Sequence, residues 1–503
     1  MIFLLIAIIA IIVIIVGAFA VTNTNKVNDA AFSVDAKTLE DRGNLVVDNE
    51  KINENNGYYH TQDADNNSIL VKNGGVLTLS NSAINKTGDT ASSGDDADFY
   101  GINSAVLVNT NGSADISNVK IDTDSKGSNG IFVTNAEASS SSGEGQGSGG
   151  QPPEANGNRA EGGQPPEANG NGAEGGQPPE AQNGGQTPNG GGSPGATVDG
   201  NTEVKINNVK ITTHSDKSRG LDATYNGIIN AENVEINTDG QSCAALATDR
   251  GEGQVHVKNS NINTGVSKTS GRGSPLIYST GNITLENSQG TSYVSQIACI
   301  EGKNSIELDK CDLTGYAEGN RKDGDAYVDL GGIFIYQSMS GDADVGTSQF
   351  SAKNSHLSIA EDSAVYGQAP MFHITNTACV INLEDTELSF GSGKFLESSS
   401  QNQWGTVGSN GGVCELNTNN ENIEGDVIVD NISSLNWIMK NTKFKGAINS
   451  TGNTTINIEE GSTWTLTGDS TVSSLKVSGE IDYGDYSLTV NGKSYNKANP
   501  FKG

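Results

Sequence analysis

Four arginines follow a repeated Asn or Lys position at intervals of 11, 17, 13 and 11 residues, and aspartates stand beside them. If these intervals place the side chains on one face, the arginines form a column that could bind acidic sugars directly. The aspartates offer hard oxygen ligands, which suit Ca²⁺, so contact through calcium is a second form of the same chemistry. The candidate ligand-binding residues are Arg219, Asp222, Arg250, Arg272, Arg321 and Asp323.

A plainer interpretation of the same residues is that they are solvated turn residues forming ion pairs between neighbouring turns of the chain. The short acidic stretches at residues 63–67, 95–98 and 342–344 are interpreted in the same way, as solvated turns. The sequence contains no HExxH motif, and no nucleophile elbow or phosphate-binding loop in the right context. It therefore predicts no catalytic residues, no metal ligands and a protein that is not an enzyme.

A short sequence repeat must position these residues. In each copy, apolar residues alternate with other residues, and Asn, Asp or Lys stands three residues before the last apolar residue. The repeat reads VKINNVKI at residues 204–211, INAENVEI at residues 229–236 and VHVKNSNI at residues 255–262. A near-constant period in this size range indicates a solenoid. The Asn-type positions are spaced by 25, 26, 28 and 23 residues and are Asn208, Asn233, Asn259, Asn287 and Lys310.

Each copy of the repeat contains two or three short alternating segments separated by Gly, Asn, Asp and Ser. Alternation predicts strands, and these four residue types favour tight turns. Three strands and three turns make one coil of a parallel β-helix, in which apolar residues stack on those of the next coil about 4.8 Å away. Because Asn tolerates the left-handed conformation, the repeated Asn predicts a structural ladder at one turn.

Composition narrows the class of partner. The chain has 503 residues, with 60 acidic against 30 basic side chains and a net charge of −30. This balance argues against nucleic acid and anionic lipid, because both reward clusters of Lys and Arg. The five cysteines are scattered without a CxxC pair, which makes a zinc site a poor interpretation. We expect them to be small buried core residues rather than a disulfide scaffold.

The first 21 residues carry no charged side chain and are almost wholly apolar. They predict an N-terminal hydrophobic helix. It is either a signal peptide, with Ala18-Phe19-Ala20 as the cleavage site, or an uncleaved membrane anchor. Either alternative carries the following chain across a membrane, which predicts an extracellular or cell-surface location. Residues 22–66 are mostly polar and predict a stalk or an N-terminal cap.

Residues 137–199 contain GGQPPEANGN-type units with a period of 13 residues and almost no large apolar side chains. Such a composition predicts a disordered insertion. It divides the predicted β-helix into first coils at residues 67–136 and a main part at residues 200–400. Residues 401–503 predict C-terminal coils and a cap. The three tryptophans in this last region are either a sugar-stacking platform or part of the cap.

Two stretches resemble known β-helices. Residues 461–495, which contain TWTLTGDSTVSSLKVSG, look like the terminal coils of adhesin-like and autotransporter-passenger β-helices. Residues 218–253, which contain SRGLDATYNGIINAENVEINTDG, resemble right-handed β-helix surface proteins of anaerobic gut microbes with pectin-lyase-like architecture. The resemblance implies a right-handed coil. It also implies an enzymatic alternative, because lyases of that group use acidic calcium ligands beside an Arg or Lys base.

These observations predict an all-β, right-handed parallel β-helix with a disordered insertion and an N-terminal hydrophobic helix. The predicted function is that of an adhesin-like surface protein that binds polysaccharide or a host or microbial surface protein. Two alternatives stay open, a polysaccharide lyase acting on acidic glycans and a passive structural spacer. The expected partners are carbohydrate or a surface protein and not nucleic acid, with membrane contact through the N-terminal segment. No cofactor is expected except Ca²⁺, which the acidic residues could hold.

Overall fold

We describe the protein from a computed structural model that covers residues 34–92, 94–137 and 200–502. All of these residues fall in one compact unit. The hydrophobic helix predicted over residues 1–21, and all but Glu137 of the insertion predicted over residues 137–199, lie outside them. Among the described residues, no helix is both long and apolar enough to cross a bilayer.

Strands make up nearly all the regular structure of the described residues. The helical elements in this part of the chain are the α-helix α1 (Gly94–Tyr100) and a 3-10 turn at Ala36–Thr38. The strands that precede the insertion are β1 (Glu40–Gly43), β2 (Leu45–Asp48), β3 (Lys51–Asn55), β4 (Gly57–Thr61), β5 (Ile69–Lys72), β6 (Val76–Thr87), β7 (Val106–Asn109), β8 (Ser113–Asp124) and β9 (Ile131–Thr134).

After the insertion the coils continue without interruption to the C-terminal region. The strands of this main part are β10 (Glu203–Thr213), β11 (Leu221–Thr224), β12 (Ile228–Thr238), β13 (Leu246–Thr248), β14 (Gln254–Lys258), β15 (Asn261–Thr264), β16 (Ile277–Ser279), β17 (Asn282–Glu286), β18 (Gln289–Ser292), β19 (Ala298–Glu301), β20 (Ser305–Asp309), β21 (Asp312–Gly315), β22 (Lys322–Asp323), β23 (Ala326–Tyr327), β24 (Ile333–Tyr336), β25 (Thr347–Lys353), β26 (His356–Ile359), β27 (Phe372–Thr375), β28 (Ala378–Glu384), β29 (Glu387–Ser389) and β30 (Lys394–Ser398).

The C-terminal region is built in the same way and ends in a hairpin. Its strands are β31 (Val413–Asn419), β32 (Asn422–Glu424), β33 (Asp426–Val429), β34 (Ser434–Lys440), β35 (Lys443–Lys445), β36 (Ile448–Ser450), β37 (Asn453–Ile458), β38 (Thr463–Thr465), β39 (Ser470–Val472), β40 (Ser474–Val477), β41 (Glu480–Asp482), β42 (Leu488–Val490) and β43 (Lys493–Tyr495).

Two long sheets organise these strands. Within the described residues, sheet A has 21 strands and sheet B has 13, and all their pairings are parallel. Sheet B consists of β2, β5, β7, β9, β11, β13, β16, β19, β24, β27, β30, β33 and β36. The antiparallel pairs in this part of the chain are β22–β23 and the terminal hairpin β42–β43. This confirms the predicted all-β class with long parallel sheets, the arrangement expected of a parallel β-helix.

The sequence repeat sets the register of sheet A. Strands β10 and β12 place Val204 opposite Ile229 and Ile211 opposite Ile236. All four side chains are fully buried. Burying a Val or Ile side chain contributes roughly 1.5–3 kcal/mol. Because every coil repeats the same inward positions, these rows join into one continuous core along the described coils.

The repeated Asn adopts the left-handed conformation that was predicted for it. The backbone φ angle is +57° at Asn208 and Asn233, +52° at Asn259 and +47° at Asn287. Lys310, which replaces Asn in the next coil, takes +54°. The turn therefore keeps its backbone geometry when the residue type changes.

Side-chain amides link this turn from coil to coil. Asn118, with φ of +54°, donates from Nδ2 to Oδ1 of Asn81 at 3.2 Å and accepts from Nδ2 of Asn208 at 2.6 Å. Asn287 donates in the same way to Asn259 at 2.6 Å. The repeated Asn is thus a structural ladder, as predicted.

In several later coils the residue after the left-handed position is a Ser or Glu that turns back toward the interior and accepts a hydrogen bond from the preceding coil. The hydroxyl of Ser355 accepts from the backbone N–H of Cys311, and Oε1 of Glu421 accepts from that of Thr386 at 2.9 Å. Glu421 is only 2% exposed, and its Oε2 has no hydrogen-bond partner. Burial raises the pKa of Glu421 to about 8.

Parallel strand pairing begins before residue 67, within the segment predicted to be a polar stalk or an N-terminal cap. Strand β3 already pairs with β6, with Ile52 opposite Leu77, and β4 pairs with the same strand, with Tyr59 opposite Ile84. The sequence signal is weak here because Asn and Glu occupy many of the positions around few buried side chains.

The insertion leaves and re-enters the coils at two points that are tied together. Nδ2 of Asn135 donates to the carbonyl of Gly200 at 3.1 Å, and Oγ1 of Thr202 donates to Oδ1 of Asn135 at 2.9 Å. Strands β8 and β10 on either side pair in the ordinary register, with Ile116 opposite Ile206. The coils therefore stack across the insertion as if the chain were continuous.

Cysteines and tryptophans contribute to packing. All five cysteines are free and buried, as predicted. Trp437 and Trp464 are fully buried inside the C-terminal coils, where Phe444 lies between them with ring-centroid distances of 4.7 and 5.9 Å. Trp404 packs outside sheet B against Phe334 at 5.4 Å. These residues are core and cover residues and do not form an exposed sugar-stacking platform.

We predict that Asn118→Val lowers the free energy of unfolding by about 2–4 kcal/mol. Most residues with a Cβ lose roughly 1–2 kcal/mol in the left-handed conformation; Asn tolerates it through local hydrogen bonds of its polar side chain, which Val cannot make, and two amide hydrogen bonds are lost as well. Asn118→Gly should cost less, because Gly adopts this conformation freely. Denaturant unfolding measures both. Asn457→Val, on the outer face of β37, is the control and should be neutral within about 0.5 kcal/mol. Equal losses for Val and Gly would contradict the conformational argument.

We predict that the stability of the protein falls between pH 4.5 and pH 8 partly through Glu421. The folded carboxyl keeps its proton to about pH 8, whereas the unfolded one loses it near 4.5. The unfolded state then binds fewer protons in this window, so the free energy of unfolding decreases as pH rises. Glu421→Gln keeps the acceptor for Thr386 and should flatten the melting temperature against pH. The exposed Glu415→Gln should leave the wild-type slope, and equal slopes in all three proteins would exclude this role.

Candidate functional site

The outer face of sheet B is covered by the protein's own chain along its middle strands, such as β7, β9 and β11. All four residues of β11 are buried, whereas buried and partly exposed residues alternate along β10 in sheet A. Leu221 and Ala223 face the core, and Asp222 and Thr224 face outward beneath helix α1. The hydroxyl of Thr224 donates to the carbonyl of Phe99 in that helix at 2.8 Å. The outward side chains of β11 therefore lie in a low-dielectric environment.

Aromatic and cationic contacts hold α1 against the coils. The guanidinium of Arg250 lies 3.7 Å from the centre of the Phe99 ring. The rings of Tyr100 and Tyr225 stack at 5.6 Å. Cation–π contacts contribute roughly 0.5–2 kcal/mol, and more when desolvated. The helix is thus fixed over the outer face of β11 by several independent contacts.

Beneath α1 lies a cluster of charged side chains, which we call the Arg219 cluster and define as Asp98, Lys217, Arg219, Asp222 and Asp249. Nε of Arg219 lies 2.5 Å from Oδ2 of Asp249 and 3.5 Å from Oδ2 of Asp222. Its Nη1 lies 2.8 Å from Oδ1 of Asp98, and Nζ of Lys217 lies 2.8 Å from the other oxygen of Asp98. The cluster joins α1 to two successive coils, because Asp222 belongs to β11 and Asp249 follows β13.

The aspartates of the Arg219 cluster differ in protonation. Burial, followed by the charge of Asp249, raises the pKa of Asp222 well above its usual range. Burial also raises the pKa of Asp249, although Arg219 opposes the shift. Burial acts against ionisation of Asp98 too, but Arg219 and Lys217 outweigh it and lower its pKa.

One proton shared by Asp222 and Asp249 makes the Arg219 cluster neutral. When Asp222 and Asp249 are both ionised, their carboxylates can only accept hydrogen bonds, and neither oxygen of Asp222 has a hydrogen-bond partner. A proton on Asp222 supplies a donor toward Asp249. Two ionised aspartates then balance the two cations. Neutrality matters because an unpaired buried charge is strongly destabilising.

The Arg219 cluster contains groups that could transfer protons, but it is enclosed. Asp222 is 0% and Asp249 is 6% exposed, so a substrate would have to displace α1 to reach them. Across residues 34–92, 94–137 and 200–502, no group of three or more His, Cys, Asp or Glu side chains is arranged to hold a metal ion. In the folded state described, the cluster acts as a structural link between α1 and the coils.

The predicted column of arginines is not formed. Arg219 lies two residues before β11, whereas Arg250 lies two residues after β13, at the opposite end of the sheet B strands. Arg250 pairs with Asp342, and Arg272 pairs with Glu318 at 3.0 Å. Turn lengths differ between coils, so similar sequence distances from the Asn ladder do not give the same position on the surface.

The two remaining predicted ligand residues also lie apart from the Arg219 cluster. Arg321 is exposed, and its backbone N–H donates to the carboxylate of Asp329 at 3.1 Å. Asp323 is exposed in the hairpin of β22 and β23 and accepts from Nδ2 of Asn402 at 2.9 Å. Of the six predicted residues, the structure joins Arg219 and Asp222 directly, and Arg250 reaches the same helix through Phe99.

The surroundings of Asp98 differ from the solvated acidic turn that the sequence predicts at residues 95–98. The structure places this residue in α1 with a side chain only 13% exposed. The signal that could have identified it is the pair of aromatic residues, Phe99 and Tyr100, that follows directly. Two aromatic residues after an acidic stretch indicate that one face of the segment is buried.

A second buried acid, Glu301, lies farther along the same outer face. It is 1% exposed and accepts a hydrogen bond from the hydroxyl of Tyr278 at 2.9 Å. The backbone N–H of Ser338 donates to its other oxygen at 3.2 Å. Phe334 and Trp404 pack beside this group. Here too the carboxylate serves to satisfy buried polar groups beneath a covering segment.

Sheet A, by contrast, carries an open hollow of about 300 Å³ on its outer face at the start of β28, β31, β34 and β37. Val413, which is 52% exposed, provides an apolar surface there. Glu415, Asn436 and Thr455 stand in one row along the hollow, because they are direct partners in adjacent strands. It thus combines an apolar patch with a row of polar groups, a combination suited to a small polar ligand.

A polar row continues this surface toward the middle of sheet A. Nδ2 of Asn417 donates to Oδ1 of Asn382 at 3.1 Å, and Nδ2 of Asn382 donates to Oγ of Ser351 at 3.2 Å. Their Cα atoms are direct partners in β25, β28 and β31. Amide and hydroxyl groups are therefore repeated at the spacing of the coils, about 4.8 Å.

Comparison with models of known protein families finds no match for this chain, and comparison with curated proteins finds none either. The similarity to adhesin-like and pectin-lyase-like β-helices therefore stays a resemblance of pattern, and architecture alone does not define an activity.

We predict that Arg219→Met lowers the free energy of unfolding by about 3–5 kcal/mol, because it leaves buried aspartates without their cation. Asp222→Asn should cost less than about 1 kcal/mol, since the amide has the shape of the protonated acid and can donate to Asp249. Denaturant unfolding at pH 7 separates the two. Arg321→Met, at an exposed site, is the control and should change stability by less than about 0.5 kcal/mol. A large loss for Asp222→Asn would mean that Asp222 is ionised.

Proposed function

We propose that the protein is an exported, adhesin-like right-handed parallel β-helix that binds polysaccharide along the outer face of sheet A. The observation that carries this proposal is the hollow lined by Val413, Glu415, Asn436 and Thr455, with the Ser351–Asn382–Asn417 row beside it. Sugars present hydroxyl groups and apolar C–H faces, which suit amide donors and acceptors beside an exposed valine.

The charge of the hollow favours a neutral glycan. Among the described residues that line it, Glu415 is the one charged side chain, and no Lys or Arg takes part. An acidic polysaccharide would meet a carboxylate there and gain no ion pair. We therefore propose a neutral glycan as the ligand, whereas the sequence predicted acidic sugars bound near the arginines.

The lyase alternative receives no support from the arrangement of the predicted residues. A lyase needs an exposed base beside calcium-binding acids, whereas Arg219 is enclosed with its aspartates and Arg272 pairs with Glu318. The passive-spacer alternative predicts a uniform face, and the hollow on sheet A argues against it. Surface location and export rest on the N-terminal hydrophobic segment and are part of the same proposal.

We predict that the purified protein binds neutral polysaccharides on a glycan array and that Val413→Arg abolishes this binding by filling the hollow. Asn436→Ala should weaken it about 2–10-fold, as expected for one lost hydrogen bond of roughly 0.5–1.5 kcal/mol. Val407→Arg is the matched control, because Val407 is 71% exposed and lies outside the hollow. It should bind like the wild type.

The same array, run with calcium and with EDTA and followed by ultraviolet absorbance, separates the alternatives. Equal binding by the Val413→Arg and Val407→Arg proteins would place the ligand elsewhere. Unsaturated sugar product would identify a lyase. Absence of glycan binding under all conditions would overturn the carbohydrate proposal in favour of a protein partner or a spacer.

A further inference from the structure

Two of the five free cysteines occupy directly opposed positions in neighbouring coils. Cys379 in β28 and Cys414 in β31 are Cα partners in a parallel register, and both side chains belong to the buried core. Parallel neighbouring strands lie about 4.8 Å apart, which falls within the Cα separation of 4.4–6.8 Å usual for disulfides. Stacking thus brings together two thiols that are 35 residues apart in the chain.

The thiol pair lies in the core, on the inner side of the strands that line the hollow. Both cysteines line the hollow on the outer face of sheet A, although each is only 2% exposed. Hydrogen bonding with Cys379, followed by burial, raises the pKa of the Cys414 thiol, in agreement with the paired register of the two residues. A reagent in solution therefore reaches the two thiols when the coils open locally.

The other three cysteines have different neighbours. The thiol of Cys243 donates to the carbonyl of Ser215 at 3.2 Å, and that of Cys311 donates to the carbonyl of Leu285 at 3.2 Å. Cys299 has Tyr278 and Phe334 as its partners in sheet B. None of the three is paired in register with another cysteine in the described strands.

We propose that Cys379 and Cys414 form a redox-responsive site in which a disulfide donor converts the two thiols into a bond between adjacent coils. The proposal is independent of glycan binding. With oxidised glutathione as donor, the thiolate of one cysteine attacks the glutathione disulfide and releases one glutathione thiolate. The second cysteine then attacks the mixed disulfide and releases the other. The two cysteines lose two electrons and two protons, and two molecules of reduced glutathione form.

The bond would close a loop that contains the segment from β29 to the start of β31, including the covering residue Trp404. Cross-linking restricts the unfolded chain and stabilises the folded one, more so for longer loops. Because the thiolate is the attacking species and the pKa of Cys414 is raised, the exchange should accelerate as pH rises above neutrality.

The test is to incubate the full chain with oxidised glutathione and count alkylated thiols in denaturant. We expect the count to fall from five, the number of free cysteines, to three. Peptide mapping should find the bond between the peptides that contain Cys379 and Cys414, and the melting temperature should rise by roughly a few degrees. Retention of all five thiols, or a bond between any other pair, would overturn the proposal.

Two serine variants make the test specific. Cys414→Ser cannot close the bond, so it should lose at most one thiol, as a glutathione mixed disulfide at Cys379, and show no rise in melting temperature. Cys311→Ser is the matched control, because Ser288 and Ser355 occupy the same position in the adjacent coils and show that serine fits there. Its four thiols should fall to two. Loss of two thiols from Cys414→Ser would contradict the assignment.

Discussion

Stacking of equivalent residues in register is the constraint on which the rest of this protein depends. A coil can bury its Val and Ile side chains only if the next coil presents the same positions at the same height. The left-handed Asn turn, with φ near +55° at Asn118 and Asn208, supplies this alignment because it bends the chain in the same way in each coil. The continuous core, the two long sheets and the polar rows on the surface all follow from this alignment.

The same stacking gives the two long sheets different surfaces. On sheet A the outward rows are exposed to water, so amide and hydroxyl groups can be repeated there without each needing a partner within the protein. On the middle strands of sheet B, such as β7, β9 and β11, the outward positions are covered, and any charge placed there has to be balanced within the protein. Arg219 and its aspartates meet that requirement beneath α1, whereas the buried Glu301 accepts hydrogen bonds from Tyr278 and Ser338. Charged residues in a repeat protein can therefore be structural where a covering segment encloses them.

The structural features that the sequence predicted correctly are those that depend on one coil and its immediate neighbour. Strand alternation, the conformation of Asn208 and the burial of the cysteines are local in this sense, and the structure agrees with each. The sequence did not predict the surroundings of Arg219, because the partner Asp98 lies 121 residues away on a helix that interrupts the repeat. Nor could it show the hollow at Val413, since an exposed valine in an alternating strand has no distinctive pattern. Such features depend on covering segments and on loop lengths rather than on the period.

The bonds that tie Asn135 to Gly200 and Thr202 make the length of the insertion independent of the solenoid. The closure entropy of a loop grows only with the logarithm of its length, about 0.6 kcal/mol per doubling. Units of 13 residues can thus be gained or lost by replication slippage without a shift in any coil, whereas a single residue added at the Asn turn would displace a whole row. Length variation among natural alleles should accordingly be concentrated in this one segment, which also makes it a suitable point for grafting a foreign sequence.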